Sequence, residues 1–140
     1  ILTWSKKALD KPLLKLNNPA HEKAAVRMSK LIHEYISAPP HEAQQARACA
    51  QQVVVVCIKT SALRDEAYAN LVRLLHNCGL SRHEQRAWQL CSIVLALFPP
   101  TNLTTFVLSF FRHWSPQQTD PTARATSRRY RNYCIKQLER

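Results

Sequence analysis

A single glycine, Gly79, stands among 140 residues. One glycine cannot build a phosphate-cradling glycine loop. With no Asn-Gly or Asp-Gly pair, the tight hairpins of a β-rich fold also lack their turn residues. Acidic residues are scarce as well, nine Asp plus Glu against twenty Lys plus Arg, for a net charge of +11. That balance points to an acidic partner, whether nucleic acid, anionic membrane or an acidic protein tail, without choosing among them. Long hydrophobic runs are missing too. The stretches 53–58 and 93–98 are far shorter than the roughly 20 residues of a membrane span, and no basic, apolar and small-residue start marks a signal peptide. The expectation is a soluble intracellular chain, one domain over residues 1–140.

The five cysteines, Cys49, Cys57, Cys78, Cys91 and Cys134, are odd in number and contain no C-x-x-C pair. A disulfide framework is disfavoured and a reducing compartment fits. Each sits among Ala, Leu, Val or Tyr, where a free cysteine behaves as a small buried hydrophobe rather than a zinc ligand. The six histidines are scattered without an H-E-x-x-H pattern, and His76 with Cys78 and His83 is the nearest approach to a ligand cluster. Asp65 and Glu66 are adjacent, so on a helix they point about 100° apart and form no facing acid–base pair. They read as a helix start with local salt bridging to Arg64 or a neighbour. No constellation supports an enzyme, a metal site or a cofactor.

What the chain has is helix punctuation. Asn18-Pro19 is an N-cap followed by proline at the first helical position, leading into Ala24, Ala25, Met28, Leu31, Ile32, Tyr35 and Ile36 at three-and-four spacing. Pro39-Pro40 ends that helix. A second runs from Glu42 to about Ile58. Its four consecutive valines would suit a strand equally, but no second strand signal offers a partner, so the prediction is helix. Leu63, Ala67, Leu71, Leu74, Leu75 and Cys78 mark the buried side of a third, with Asp65 and Glu66 in its first turn and Gly79 as a left-handed terminator. Ser81 to Glu84 forms a capping box for a fourth, with Ala87, Leu90, Cys91, Val94 and Leu97 or Phe98 inward. Thr101 or Asn102 caps a fifth, with Leu103, Phe106, Val107, Phe110 and Trp114 as its core stripe. Asp120-Pro121 opens a final basic helix containing Tyr130, Cys134 and Leu138. The fold class is all-α, a compact bundle of about six helices.

The charge is terminal. Residues 1–30 carry a net +5, residues 121–140 another +5, and the ninety between them only +1. If the two ends pack together, Lys6, Lys7, Lys11, Lys15, Arg124, Arg128, Arg129 and Arg131 make one basic face. Two solvated helix surfaces kept soluble by charge account for the same pattern.

Leu63-Arg64-Asp65-Glu66-Ala67-Tyr68 resembles the L-R-D-E-x-Y signature of the myosin tail homology 4 family. Ala87-Trp88-Gln89-Leu90-Cys91 is similar to that family's G-W-x-L-L element, with Ala87 where glycine is usual. Phe98-Pro99-Pro100-Thr101 is similar to its F-P-P-S turn. Pro12-Leu13-Leu14, the Tyr35-Ile36 segment and Tyr133 to Arg140 extend the resemblance over essentially the whole chain. Ser37 to Pro40 replace a common glycine, and Ala69-Asn70 stand where Cys-Gln often follows. The resemblance implies a non-catalytic, all-helical binding module, found in unconventional myosin tails, a plant kinesin and some Rho GTPase-activating proteins. In motor tails it usually precedes a FERM domain, and the pair binds cargo or microtubules. It further implies cytoplasmic, cytoskeleton-associated work in which basic residues meet the acidic tails of tubulin. Leu63, Arg64, Asp65, Glu66, Tyr68, Trp88, Phe98, Pro99 and Pro100 then read as structural. A scaffold role against neighbouring domains of the same chain is the alternative, and a helical nucleic-acid binder has the charge but no motif.

Overall fold

In the computed structural model, residues 11–76, 78, 81–116 and 120–140 are described. Lys6, Lys7, the Gly79 terminator and the Ser81 hydroxyl of the capping box lie outside them. The described residues form six α-helices and no strand: α1 Pro19–Ser37, α2 Ala43–Lys59, α3 Arg64–Leu75, α4 Ser81–Leu97, α5 Thr104–His113 and α6 Pro121–Glu139. The sequence predicts each of the six.

Local chemistry sets most boundaries. Asn18 Oδ1 accepts from the Ala20 amide at 2.8 Å and Pro19 occupies the first turn of α1. That helix stops at Ser37, because the residue before Pro39 is driven into extended backbone. A 3-10 turn, Pro40–Glu42, leads into α2, whose four valines are helical. Asp120 opens α6 by accepting from the Ala123 amide at 2.9 Å, again with proline in the first turn.

The packing is centred on α3. It touches α1, α2, α4 and α5, and every residue from Asp65 to Leu75 is buried. The predicted single inward stripe is therefore corrected: Asp65, Glu66, Asn70 and Arg73 lie inside with the leucines. The two carboxylates are given hydrogen-bond donors, whereas Asn70 Oδ1 and Arg73 Nε and Nη2 are buried without a hydrogen-bond partner among the described residues. α2 pairs chiefly with α1, and α6 lies on α4 and α5. Trp88 of α4 fills the space between, its ring 5.0 Å from Phe111 and 5.1 Å from Trp114.

Two inward assignments change. In α5 the buried side is Val107 and Phe111, with Trp114 just beyond the helix, while Phe106 is exposed and Phe110 only partly covered. Between Leu97 and Phe98, Phe98 turns in and Leu97 faces solvent.

Candidate functional site

The Leu63–Tyr68 segment builds a joint. Leu63 is buried beneath the turn that joins α2 to α3. The Arg64 guanidinium donates through Nε to the Cys57 carbonyl at 2.9 Å and through Nη2 to the Ile58 carbonyl at 3.3 Å, which caps the end of α2. Its far side lies over the Phe98 ring, 5.7 Å from the centroid.

Among the described residues Asp65 and Glu66 make no salt bridge to Arg64 or to a neighbour, contrary to the local pairing expected from the sequence. Their carboxylates are spent on backbone amides. Asp65 accepts from Thr101 N at 2.7 Å, Asn102 N at 2.8 Å and Leu103 N at 3.4 Å. These are the amides of the turn before α5, whose N-cap is Leu103 and not the predicted Thr101 or Asn102, so α3 holds that turn while the helix itself starts without a side-chain cap. Glu66, fully buried, accepts from Leu13 N at 2.8 Å and Leu14 N at 2.9 Å, with Asn70 Nδ2 at 3.3 Å beside them. Pointing about 100° apart, the two acids grip segments on different sides of one helix.

Tyr68 donates its hydroxyl to the Phe98 carbonyl at 2.6 Å, and burial, above all, raises its phenol pKa, so it stays a donor. Pro99 is exposed and Pro100 buried where the chain leaves α4. Trp88 is fully buried. Leu63, Asp65 to Tyr68, Trp88, Phe98 and Pro100 thus form an interior assembly, with Arg64 half-buried and Pro99 at the surface beside it. The five cysteines are buried and in no disulfide among the described residues, and burial pushes the thiols of Cys57 and Cys134 up to about 12 and that of Cys49 to about 11. Among the described residues no three His, Cys, Asp or Glu gather as a metal site, and no helix is long and apolar enough to cross a membrane.

The basic residues are distributed differently. Lys11 and Lys15 are exposed at the arriving segment, Lys15 beside the hollow formed with Asp65 and Thr101–Leu103. Arg128 and Arg129 are exposed on α6. Arg131 is partly committed, donating from Nη1 to the Trp114 carbonyl at 3.0 Å and thereby holding α6 to the end of α5. Arg124 is partly buried. Ser127, next to Arg128, donates to Glu84 Oε2 at 2.8 Å in the first turn of α4, whereas the Lys15 end lies where α4 has finished, about 20 Å of helix axis away. α1 and α6 share no contact among the described residues. Among the described residues, Lys11 with Lys15 and Arg128 with Arg129 are therefore two separate basic patches. A third is a stripe the sequence analysis did not single out: Lys23, Arg27 and Lys30, all exposed on α1 and spaced by four and three. Its helical spacing was the available signal.

The MyTH4 domain family model matches residues 50–140. The chain belongs to the MyTH4 family. The mouse unconventional myosin-VIIb is 28% identical over 106 residues, which is 69% of this chain and 5% of that relative. This MyTH4 domain thus spans a small part of that relative's length. Among solved structures, the MyTH4-FERM MF2 domain of Dictyostelium discoideum myosin VII superposes with a TM-score of 0.81 at 19% identity, covering 99% of this chain and 27% of the other. The MF1 domain of the same protein gives 0.78 at 17%, covering 97% and 28%. At that identity the agreement is one of fold. It extends the MyTH4 architecture to α1 and the segment before it, which the family model leaves out.

Proposed function

We propose that this MyTH4 domain, acting as one module of 140 residues, is a non-catalytic interaction domain of a cytoskeleton-associated protein. Its exposed basic patches take an acidic protein surface, with the tails of tubulin as the leading candidate. The observation that carries this reading is where the carboxylates went. Three of the nine, Asp65, Glu66 and Glu84, are buried, so the surface excess of positive charge is larger than composition alone suggests. Arg112 with Glu139 is the one ion pair among the described residues, half exposed and of little energetic weight. Arg128 and Arg129 on α6 and Lys11 and Lys15 at the other end remain available to a partner.

Co-sedimentation with microtubules, intact and with the acidic tails removed, across a range of salt, tests this. Binding that needs the tails and fades with salt supports it. Absence of binding at low salt overturns it and favours the second reading, in which the domain is a scaffold docked on neighbours in its own chain. The observation behind that reading is that the solved relatives hold this fold together with a FERM domain.

A further inference from the structure

Five large apolar side chains on three neighbouring helices face solvent: Val55 and Ile58 of α2, Ile93 and Leu97 of α4, and Tyr133 of α6, each between 37% and 51% exposed or, for Leu97, 55%. They are not scattered. One hollow lies between α2 and α4, walled by Val54, Val55, Ile93 and Leu97, with Arg47 at its edge. A second lies between α4 and α6, walled by Ile93, Ala96, Tyr130 and Tyr133, with Arg129 at its edge. Ile93 belongs to both, so the two hollows are halves of one apolar surface with Ile93 as the ridge between them. A continuous exposed patch of this kind marks an interaction site, since isolated surface hydrophobes need no explanation and grouped ones do.

Charge chooses the occupant. Among the described residues of α2, α4 and α6 the only carboxylates are Glu84, buried against Ser127, and Glu139, paired with Arg112. Every other charge on these helices is positive, including Arg47 and Arg129 at the two edges. Shape chooses its conformation. The apolar lining follows helical spacing, Ile93 with Leu97 four apart and Tyr130 with Tyr133 three apart, so the surface offers the ridges and grooves into which another helix packs.

We propose that the α2–α4–α6 surface docks an acidic amphipathic helix of a partner protein, its apolar stripe on Ile93 and Leu97 and its flanking carboxylates on Arg47 and Arg129. This surface shares Arg129 with the tubulin-tail reading but is distinguished from it by Ile93 and Leu97, because an unstructured acidic tail has no apolar stripe to offer them.

Selection of random 16-residue peptides displayed on phage, against the whole 140-residue protein at physiological salt, tests the assignment. The expected winners carry net negative charge with apolar residues at i, i+3 or i+4, and i+7. As synthetic peptides they should lose at least tenfold in affinity on Ile93→Asp or Leu97→Asp, and several-fold on Arg47→Glu. Val55→Asp serves as the second variant if Leu97→Asp fails to fold, with the circular dichroism melt as the check. The proposal is overturned if no peptide is enriched, if the winners lack acidic residues, or if they bind Ile93→Asp and Leu97→Asp as they bind the unaltered protein. Concentration-dependent self-association that Leu97→Asp abolishes would also overturn it, since a second copy would then be the occupant. Microtubule co-sedimentation of Leu97→Asp should match the unaltered protein, so either proposal can fail alone.

Discussion

α3 and α6 both carry charged side chains at close intervals, yet the two helices use them in opposite ways. In α3 the charges are interior: Asp65 holds the amides of Thr101 to Leu103, Glu66 those of Leu13 and Leu14, and Arg64 the last carbonyls of α2. In α6 Arg128 and Arg129 stand outside, while Arg131 is recruited to a carbonyl of the chain. Charge in the first helix is a fastening, and in the second it is surface. Burial decides which, because a carboxylate removed from water must be given donors, whereas a solvated guanidinium need not be given an acceptor.

Substitution can break this contrast. Glu66→Ala leaves two partly buried amides without their acceptor and should cost about 2–3 kcal/mol, read as a lower urea midpoint at unchanged slope. A loss under about 1 kcal/mol would mean that water replaces the carboxylate and that the α3 acids are not fastenings. Arg64→Leu keeps the bulk over Phe98 but removes both donors to the end of α2, and a loss of about 1–2 kcal/mol is expected in the same measurement. On the α6 side, Arg128→Glu with Arg129→Glu should leave the urea midpoint within about 0.5 kcal/mol. The same pair should weaken microtubule binding roughly tenfold, about 1.4 kcal/mol. Unchanged binding would remove α6 from the proposed interface.

The smallest effect concerns His83. Burial first, then repulsion from Arg82 and His33, lowers its pKa below the usual imidazole value. The unfolded chain, with an imidazole pKa near about 6.5, then takes up a proton more readily than the folded one. Stability is therefore full above that pH and falls as the pH drops through it. His83→Asn should flatten the slope of melting temperature between pH 7 and 5, and an unaltered slope would assign it to other groups.

Elements were legible in the sequence where their signals are local. Asn18-Pro19, Asp120-Pro121 and the proline pairs fix helix ends through backbone restrictions that act within two or three residues, and there the structure agrees with the pattern. Whatever depends on a distant partner was not legible. A cap for α5 was sought in Thr101 or Asn102, but those two residues lie in a turn whose amides are held by Asp65, 36 residues upstream of Thr101, and the N-cap is Leu103. In α5, Phe106, Phe110 and Phe111 all fit one helical stripe or another, and only the position of Trp88 selects Phe111. The polar residues of α3 suggested an outward side, since periodicity assumes that charge faces water. The separation of Lys15 from Arg128 was not legible for a related reason: composition counts charges at the two ends of the chain, and packing alone sets the distance between them. At the candidate surface itself, Arg128 and Arg129 were readable as exposed charge, but the Ile93 ridge was not. Its residues look like core in a linear pattern, and they are exposed because no seventh helix covers them among the described residues.

The two acids of α3 have a consequence for how far such a chain can drift. A carboxylate that binds main-chain N–H groups takes hold of what every residue except proline possesses, and is indifferent to the side chains of the segment it holds. Positions 13, 14 and 101–103 are therefore fastened without being specified, so substitutions there leave the joint intact provided the amide remains. A scaffold assembled this way concentrates its demands on a few gripping side chains and releases most of the remaining positions. Such an economy of requirement suits a fold that superposes on the Dictyostelium domains with a TM-score near 0.8 while sharing 15–19% of its residues with them.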